Sequence, residues 1–177
     1  MAEIEFVVYG TPAPQGSKQA YAIYRGKGGA KVFTGKVALV EMSKRVKPWR
    51  AEVAAAARAL GIPEPLEGPL VASMVFTIHR PKSHYRTGRY AHLLRDAAPV
   101  APMGAPDFSK LVRATEDALT GIVWKDDALV VRYEDSGKVY AGSAEADALD
   151  RPGAVIRVRP FVPTLAGPFL PGMGGAA

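Results

Sequence analysis

The chain has 177 residues and is 48% hydrophobic, which is enough for one domain with a substantial core. It contains no cysteine, so disulfide bonds and thiolate zinc sites are excluded and a cytoplasmic location is expected. No apolar run approaches the ~18 residues of a membrane span, and the N-terminus lacks the basic and apolar regions of a secretion signal. The formal net charge of +6 favours a polyanionic partner such as nucleic acid.

Strand and hairpin patterns fill the first forty residues. Residues 4–9 (IEFVVY) are rich in the β-branched and aromatic side chains that are typical of strands. Residues 20–25 and 31–34 flank the sequence GKGG, which predicts a hairpin with a basic tip. Residues 37–46 fit either a helix or an extended segment, and both interpretations stay open.

A helix and a buried strand are predicted next, followed by a long irregular segment. Pro48 suits the first turn of a helix, where its missing N–H costs nothing, and we expect that helix over residues 49–60. Residues 70–78 (LVASMVFTI) form an almost continuous apolar run, as in a strand that is largely buried. Residues 80–106 show no regular pattern, and connections of that length inside a domain are usually functional or disordered.

The C-terminal half predicts a short amphipathic helix that begins near Asp107, and then strands over residues 128–134 and 154–162. The order of elements indicates an α+β fold with a small mixed β-sheet and helices packed on one face. We expect one domain over residues 1–162 and a flexible Gly-, Pro- and Ala-rich tail over residues 163–177.

Acidic residues are concentrated around the amphipathic helix. Asp107 lies at its start, Glu116 and Asp117 near its end, and Asp126 and Asp127 before the next strand. A helix rises ~1.5 Å per residue, so a helix, loop and strand of this size can fold back and bring Asp107 close to Asp127. Grouped carboxylates repel one another unless a hard cation such as Mg²⁺ lies between them. The segment is therefore a candidate metal-dependent active site.

Each acidic residue also has an ordinary structural explanation. Aspartate is a favoured N-cap, so Asp107 could cap the helix by accepting hydrogen bonds from its first N–H groups. Asp126 and Asp127 could form the turn that precedes a strand. A polar stripe runs along the helix through Ser109, Arg113, Glu116 and Thr120, and any surface that faces water would produce the same stripe.

The joint pattern is more specific than its parts. Its positions are Asp107, Leu111, Asp117-Ala118-Leu119, Trp124, Asp126-Asp127 and Val130-Val131. This arrangement resembles the RusA family of Holliday-junction resolvases, which has an Asp-x-Asp-Asn-Leu-x-Lys helix start, an Asp-Ala-Leu run, an aromatic residue and, after a short gap, an Asp-Asp pair. The resemblance implies a homodimeric endonuclease that nicks opposing strands of four-way DNA junctions with Mg²⁺ or Mn²⁺.

The resemblance also implies roles for individual residues. Asp107 matches the family's first metal-binding, catalytic aspartate and Asp127 its last, with Asp126 and Asp117 as supporting acids. The family's second helix-start aspartate is Ser109 here, a weaker neutral ligand.

The family's lysine is also replaced. Arg113 stands at that position, and it can stabilise developing negative charge but does not readily give up a proton.

Basic residues near the candidate site are predicted to contact DNA. Tyr85 and Tyr90 lie among the arginines of residues 80–106, which suits contacts to phosphates and bases together. The predicted DNA-binding residues are Lys18, Arg25, Lys27, Arg80, Lys82, Arg86, Arg89, Arg95 and Lys110.

Other functions stay open beside a junction endonuclease. A DNA-junction binding module could have kept the fold and lost cleavage when Ser109 replaced an acid. A PD-(D/E)xK nuclease is disfavoured, because no Asp/Glu-x-Lys sequence follows Pro106-Asp107 at a convincing strand position. His79, His84 and His92 are close in sequence, but without cysteine or i,i+4 spacing they are a poor zinc site.

Overall fold

The computed structural model describes residues 3–16, 18–26, 31–41 and 43–163. Lys27, at the tip of the predicted hairpin, and residues 164–177 of the predicted tail lie outside the described residues. No helix in the described part of the chain has the length and apolar character needed to cross a bilayer.

The described residues form seven strands and two α-helices. The strands are β1 (Ile4–Tyr9), β2 (Lys18–Arg25), β3 (Val32–Glu41), β4 (Leu70–Ile78), β5 (Val130–Tyr133), β6 (Gly137–Tyr140) and β7 (Gly153–Pro160). The helices are α1 (Val46–Ala59) and α2 (Phe108–Leu119). β2 and β3 pair antiparallel as a separate two-stranded sheet.

The other five strands make a mixed sheet. β7 lies between β1 and β4 and pairs antiparallel with both. β5 and β6 lie one after the other along the opposite edge of β4 and pair with it in parallel. A side chain at Gly153 would place its Cβ 2.3 Å from the Val8 carbonyl oxygen, so glycine permits the close approach of β1 to β7. The mixed sheet confirms the α+β fold expected from the sequence.

Both helices contribute to the hydrophobic core on one face of this sheet. Trp49 of α1 and Phe108 of α2 flank Phe76 of β4, with ring centroids 6.3 and 6.0 Å from it. The Trp49 indole N–H donates to the Thr115 hydroxyl at 3.1 Å, and that hydroxyl donates to the Leu111 carbonyl at 3.0 Å. These bonds satisfy polar groups that would be costly to bury unpaired, so they fix α1 against α2.

The opposite face of β4 is covered by irregular segments on either side of β6. The Ser73 hydroxyl donates to the Asp135 carbonyl at 3.1 Å, and the Leu149 N–H donates to the Thr77 hydroxyl at 3.0 Å. Because both faces of β4 are covered, its sequence is the continuous apolar run that predicted a buried strand.

Several boundaries differ from the prediction. α1 begins at Val46 rather than at residue 49, and residues 37–41 are extended, as part of β3. β5 begins only at Val130, because Asp127–Leu129 form a single 3₁₀ turn. β6 was not predicted from the sequence: its four residues carry no readable alternation, and pairing with the edge of β4 supplies the missing stabilisation.

Residues 80–106 are ordered mainly by their own backbone. They contain two 3₁₀ turns, Lys82–His84 and Gly88–Tyr90. Two backbone hydrogen bonds join the chain before the second turn to the chain after it. The Arg86 N–H donates to the Leu93 carbonyl and the Arg95 N–H to the His84 carbonyl, each at 2.9 Å. The segment therefore folds back on itself as an irregular hairpin.

Candidate active site

The carboxylate at the start of α2 is engaged in an ion pair. Asp107 occupies the N-cap position, but its side chain accepts no capping hydrogen bond, so the capping explanation was wrong. Instead the Lys110 ammonium lies 2.8 Å from the Asp107 carboxylate, and this hydrogen bond holds the pKa of Asp107 below its usual value, with a smaller effect of Lys138. The Asp107 side chain is 58% exposed, so it remains accessible to a ligand.

Lys138 of β6 fixes the chain that leads into α2. Its ammonium group donates to the carbonyls of Gly104 and Pro106 at 2.8 and 2.9 Å. β6 was not predicted from the sequence, so nothing indicated that Lys138 would lie beside Asp107.

A second acidic group lies near the other end of α2. The Tyr133 hydroxyl of β5 donates to the half-buried Glu116 carboxylate at 2.6 Å. Burial raises the pKa of Glu116, and the charges of Asp127 and Asp117 raise it further, while the Tyr133 bond and Arg113 act in the opposite direction. Burial also raises the pKa of the Tyr133 hydroxyl, with contributions from Glu116 and Asp127.

Asp126 and Asp127 are used differently. The Asp126 carboxylate accepts a hydrogen bond from the Ala128 N–H at 2.9 Å and so caps the 3₁₀ turn that follows. Asp127 is the first residue of that turn, is exposed, and contributes negative charge to the surroundings of Glu116 and Tyr133. Turn chemistry thus accounts for the side chain of Asp126 and leaves that of Asp127 available.

The remaining predicted site residues of α2 also fall into two groups, one engaged within the protein and one exposed to solvent. Asp117 forms an ion pair with Arg50 and thereby links α2 to α1. Ser109 and Arg113 are exposed, and within the described residues neither side chain makes a hydrogen bond or ion pair. The face of α2 that carries Ser109 and Arg113 is therefore open to solvent, with the half-buried Glu116 beside it.

The two ends of α2 have different charged neighbours. Asp107 lies with Lys110 and Lys138, whereas Asp127 lies with Glu116 and Tyr133. Glu116 lies nine positions after Asp107, so ~14 Å of helix lies between their backbones. In the described residues no group of three or more His, Asp or Glu side chains is placed to hold a metal ion.

The donor types nevertheless suit Mg²⁺. Carboxylate oxygens are its preferred protein ligands, and it is usually bound through one or two carboxylates together with waters and substrate phosphates. Of the three histidines, His84 packs edge-on against Tyr140 with ring centroids 5.7 Å apart.

Three arginines of residues 80–106 are engaged within the protein. Arg80 donates to the Pro99 carbonyl at 2.8 Å and lies 3.9 Å from the centre of the Tyr140 ring. Arg86 forms an ion pair with Asp96 at 2.8 Å. Arg95 donates to the Tyr85 carbonyl, also at 2.8 Å.

Among the described residues, three other predicted DNA-binding residues form no ion pair, whereas Lys110 is paired with Asp107. Lys82 and Arg89 are exposed and form no ion pair within the described residues, although Arg89 lies 4.7 Å from the centre of the Tyr90 ring. Arg25 is exposed at the end of β2. The backbone of Lys18 begins β2, but its side chain, like the whole of Lys27, lies outside the described residues.

Comparison with known proteins identifies the family. The family model of endodeoxyribonuclease RusA matches residues 14–157, which cover most of the chain and include the whole acidic segment. A comparison with curated proteins finds no match. The resemblance drawn from the sequence is therefore confirmed, and the chain belongs to the RusA family of endodeoxyribonucleases, the Holliday-junction resolvases.

Proposed function

We propose that this protein is a cytoplasmic, divalent-metal-dependent endonuclease that resolves four-way DNA junctions by paired nicks during recombination and repair. The observation that carries the proposal is the acidic segment from Asp107 to Asp127, which lies inside the region matched by the RusA model. The net charge of +6 supports a DNA substrate, because each phosphate that a lysine or arginine neutralises releases bound counterions.

Asp107 and Asp127 are the proposed metal-binding and catalytic carboxylates, each holding part of a site for one or two Mg²⁺ or Mn²⁺ ions whose remaining ligands would be waters and substrate phosphates. When bound, such an ion polarises the scissile phosphate and lowers the pKa of an attacking water. The ion pair between Asp107 and Lys110 is exposed and hence weak, so Asp107 can exchange Lys110 for another cation. Lys110 would then be free to contact a DNA phosphate.

Arg113 is the proposed charge-stabilising residue. Its guanidinium is exposed beside Glu116, on the open face of α2. There it can offset the negative charge that develops on the phosphoryl oxygens as water attacks. Ser109 leaves the site one carboxylate short of the family pattern, and the half-buried Glu116 is the acid best placed to compensate, because it lies next to Asp127.

DNA binding is assigned mainly to the exposed cations. Lys82, Arg89, Arg25 and Lys110 can reach phosphates without giving up a buried contact. The engaged arginines at positions 80, 86 and 95 hold the irregular hairpin of residues 80–106 in shape, and Lys18 and Lys27 extend the proposed footprint along the β2–β3 hairpin.

A homodimer is the proposed working form. The β2–β3 hairpin exposes large apolar side chains, among them Tyr24, Val32 and Phe33, although a two-stranded ribbon is at best marginally stable in water by itself. A four-way junction has two equivalent strands to cut, so resolving it requires two active sites, one from each copy of the chain. The second copy would cover these exposed side chains.

A nicking assay on a synthetic four-way junction tests the proposal. With Mg²⁺ the protein should introduce symmetric nicks near the branch point, and with EDTA it should bind the junction without cutting it. A linear duplex of the same sequence is the control substrate. Equal cutting of duplex and junction, or no cutting under any metal condition, would contradict the proposed function.

The rival function is a junction-binding module with weakened or absent catalysis. The neutral Ser109 favours it, as does the lack of a three-residue metal cluster in the described residues. Ser109→Asp restores the family's carboxylate and separates the two forms of this rival, the weakened enzyme and the inactive module. A strong gain in nicking would identify a weakened enzyme, whereas binding without nicks in both proteins would identify the module.

A further inference from the structure

An apolar cleft lies beside the proposed catalytic aspartate. Its volume is about 420 Å³, within the usual ~300–1,000 Å³ of small-molecule sites. Four prolines contribute to its walls, with Ala13, Ile78 and Ala105 between them. Pro106 is one of the four and directly precedes Asp107, so the cleft opens next to the active site rather than at a remote surface.

The walls of the cleft are held in place by hydrogen bonds. The Gln15 N–H donates to the Lys110 carbonyl at 3.0 Å, which ties the loop after β1 to the first turn of α2. The Gly10 N–H donates to the Pro152 carbonyl at 3.1 Å. The Lys138 ammonium fixes the carbonyl of Pro106 from the other side. A cleft with rigid walls binds a ligand without first having to order its own side chains.

The polar groups of the cleft select a ligand of particular chemistry. Arg45 and His79 line it, and neither side chain makes a hydrogen bond or ion pair within the described residues. Among those same residues, no acidic side chain lines the cleft. Arg45 and Thr11 also line an adjoining groove of about 500 Å³, whose other charged side chains are Lys44 and Glu52. The lining residues therefore suit an apolar group in the cleft and an attached anion that passes Arg45 towards Lys44.

We propose that the cleft receives an unstacked nucleobase of the DNA strand that is cut, while the adjacent phosphates pass Arg45 and Lys44. This inference rests on the proposed function and deepens it, because it assigns a base-binding subsite to the same active site. Enzymes that take a base out of the stack hold it between apolar walls and give hydrogen bonds to its edge, which His79 can supply here.

The subsite gives a physical reason for selecting junctions. Unstacking a base costs least where it has already lost a stacking neighbour, and a branch point provides such bases. A strand whose base enters the cleft would place its backbone beside Asp107. Cleavage would therefore be favoured at branch points, and it would depend on the identity of the base that enters.

Fluorescence of 2-aminopurine tests the inference without cleavage. The base analogue is placed in turn at each position around the branch of a synthetic junction, and the protein is added in EDTA. One position should brighten by at least ~3-fold as its base leaves the stack. Thr11→Trp and Ala105→Trp each fill the cleft from one of its walls, so both should abolish the brightening and weaken junction binding by about 10-fold.

Ala55→Trp is the matched control, because it makes the same change as Ala105→Trp at an exposed position of α1 outside the cleft. It should leave the brightening and the affinity unchanged. Two filling variants are used so that poor folding of one, detected by circular dichroism, leaves the other to decide. Brightening that persists in a folded filling variant would overturn the inference.

The outcome also separates this inference from the proposed function. Brightening in a protein that never nicks junctions would support the base subsite and refute the enzyme. Nicking without brightening at any position would refute the subsite and support the enzyme. If neither the junction nor a single strand carrying 2-aminopurine is bound, both ideas fail.

Discussion

Asp126 and Asp127 are neighbours in sequence, yet the fold uses them differently, which makes them a matched pair for mutation. Asp127→Asn removes a charge from a side chain that the turn does not need. We expect nicking to fall by at least ~100-fold while junction binding is kept or tightened, since a proposed metal ligand is removed and repulsion of phosphate decreases.

Asp126→Asn is the control for that variant. Its side-chain oxygen still accepts the hydrogen bond from the Ala128 N–H, so the turn should persist and most nicking should remain. Nicking rates on a junction, measured beside thermal unfolding, check both variants. An equal decrease in the two would show that the charge of the pair matters rather than the position of Asp127.

At the residue scale, the sequence predicted where a side chain lies in its helix or strand better than it predicted which side chains that residue contacts. It placed Asp107 at the start of a helix correctly, because periodicity and end signals are local. It could not show that Lys138 would lie beside Asp107, or Tyr133 against Glu116, because both contacts depend on how β5 and β6 line the edge of β4. The signals for Glu116 were the acidic cluster around α2 and the polar stripe along that helix.

At the scale of elements, the segment 80–106 divides its cations into those that shape it and those that face solvent. The double variant Lys82→Gln/Arg89→Gln removes two exposed charges without breaking an ion pair among the described residues. The slope of log affinity against log salt concentration should become shallower by about 2, because each phosphate that a cation neutralises contributes ~0.9 to that slope.

Arg58→Gln is the control, since it removes an exposed charge from α1. It should leave the salt dependence unchanged. Titrations of a junction over a range of salt concentrations measure both slopes. If the double variant keeps the wild-type slope, the segment does not contact DNA.

The composition of that segment could not separate these two groups of arginines. Arg86 and Arg89 are equivalent in the sequence, but Arg86 finds Asp96 because the backbone folds back between Tyr85 and Leu94. Likewise, β6 became a strand through its neighbour rather than through its own propensity. Long elements with strong periodicity, such as β4 and α2, were predictable for the opposite reason.

At the scale of the whole molecule, one structural unit lies outside the main sheet. The five-stranded sheet is covered by helices on one face and by irregular segments on the other, whereas the β2–β3 hairpin pairs only with itself. Tyr24 and Phe33 remain 57% and 49% exposed although their rings contact each other at a centroid distance of 5.8 Å. Exposed apolar side chains grouped on one such unit mark an interaction surface.

The proposed dimer can therefore be tested at the hairpin. Tyr24→Ser/Phe33→Ser removes two aromatic side chains that would anchor the interface, and it should raise the dimer dissociation constant by at least ~30-fold. Sedimentation equilibrium measures that constant. The melting temperature should depend on protein concentration in the wild type and lose this dependence in the variant, because only association stabilises by mass action.

Val100→Ser, which removes an exposed apolar side chain elsewhere, should change neither quantity. If the double variant sediments as the wild type does, the hairpin is not the interface; if it becomes a monomer, its nicks should fall singly on the two strands rather than in pairs.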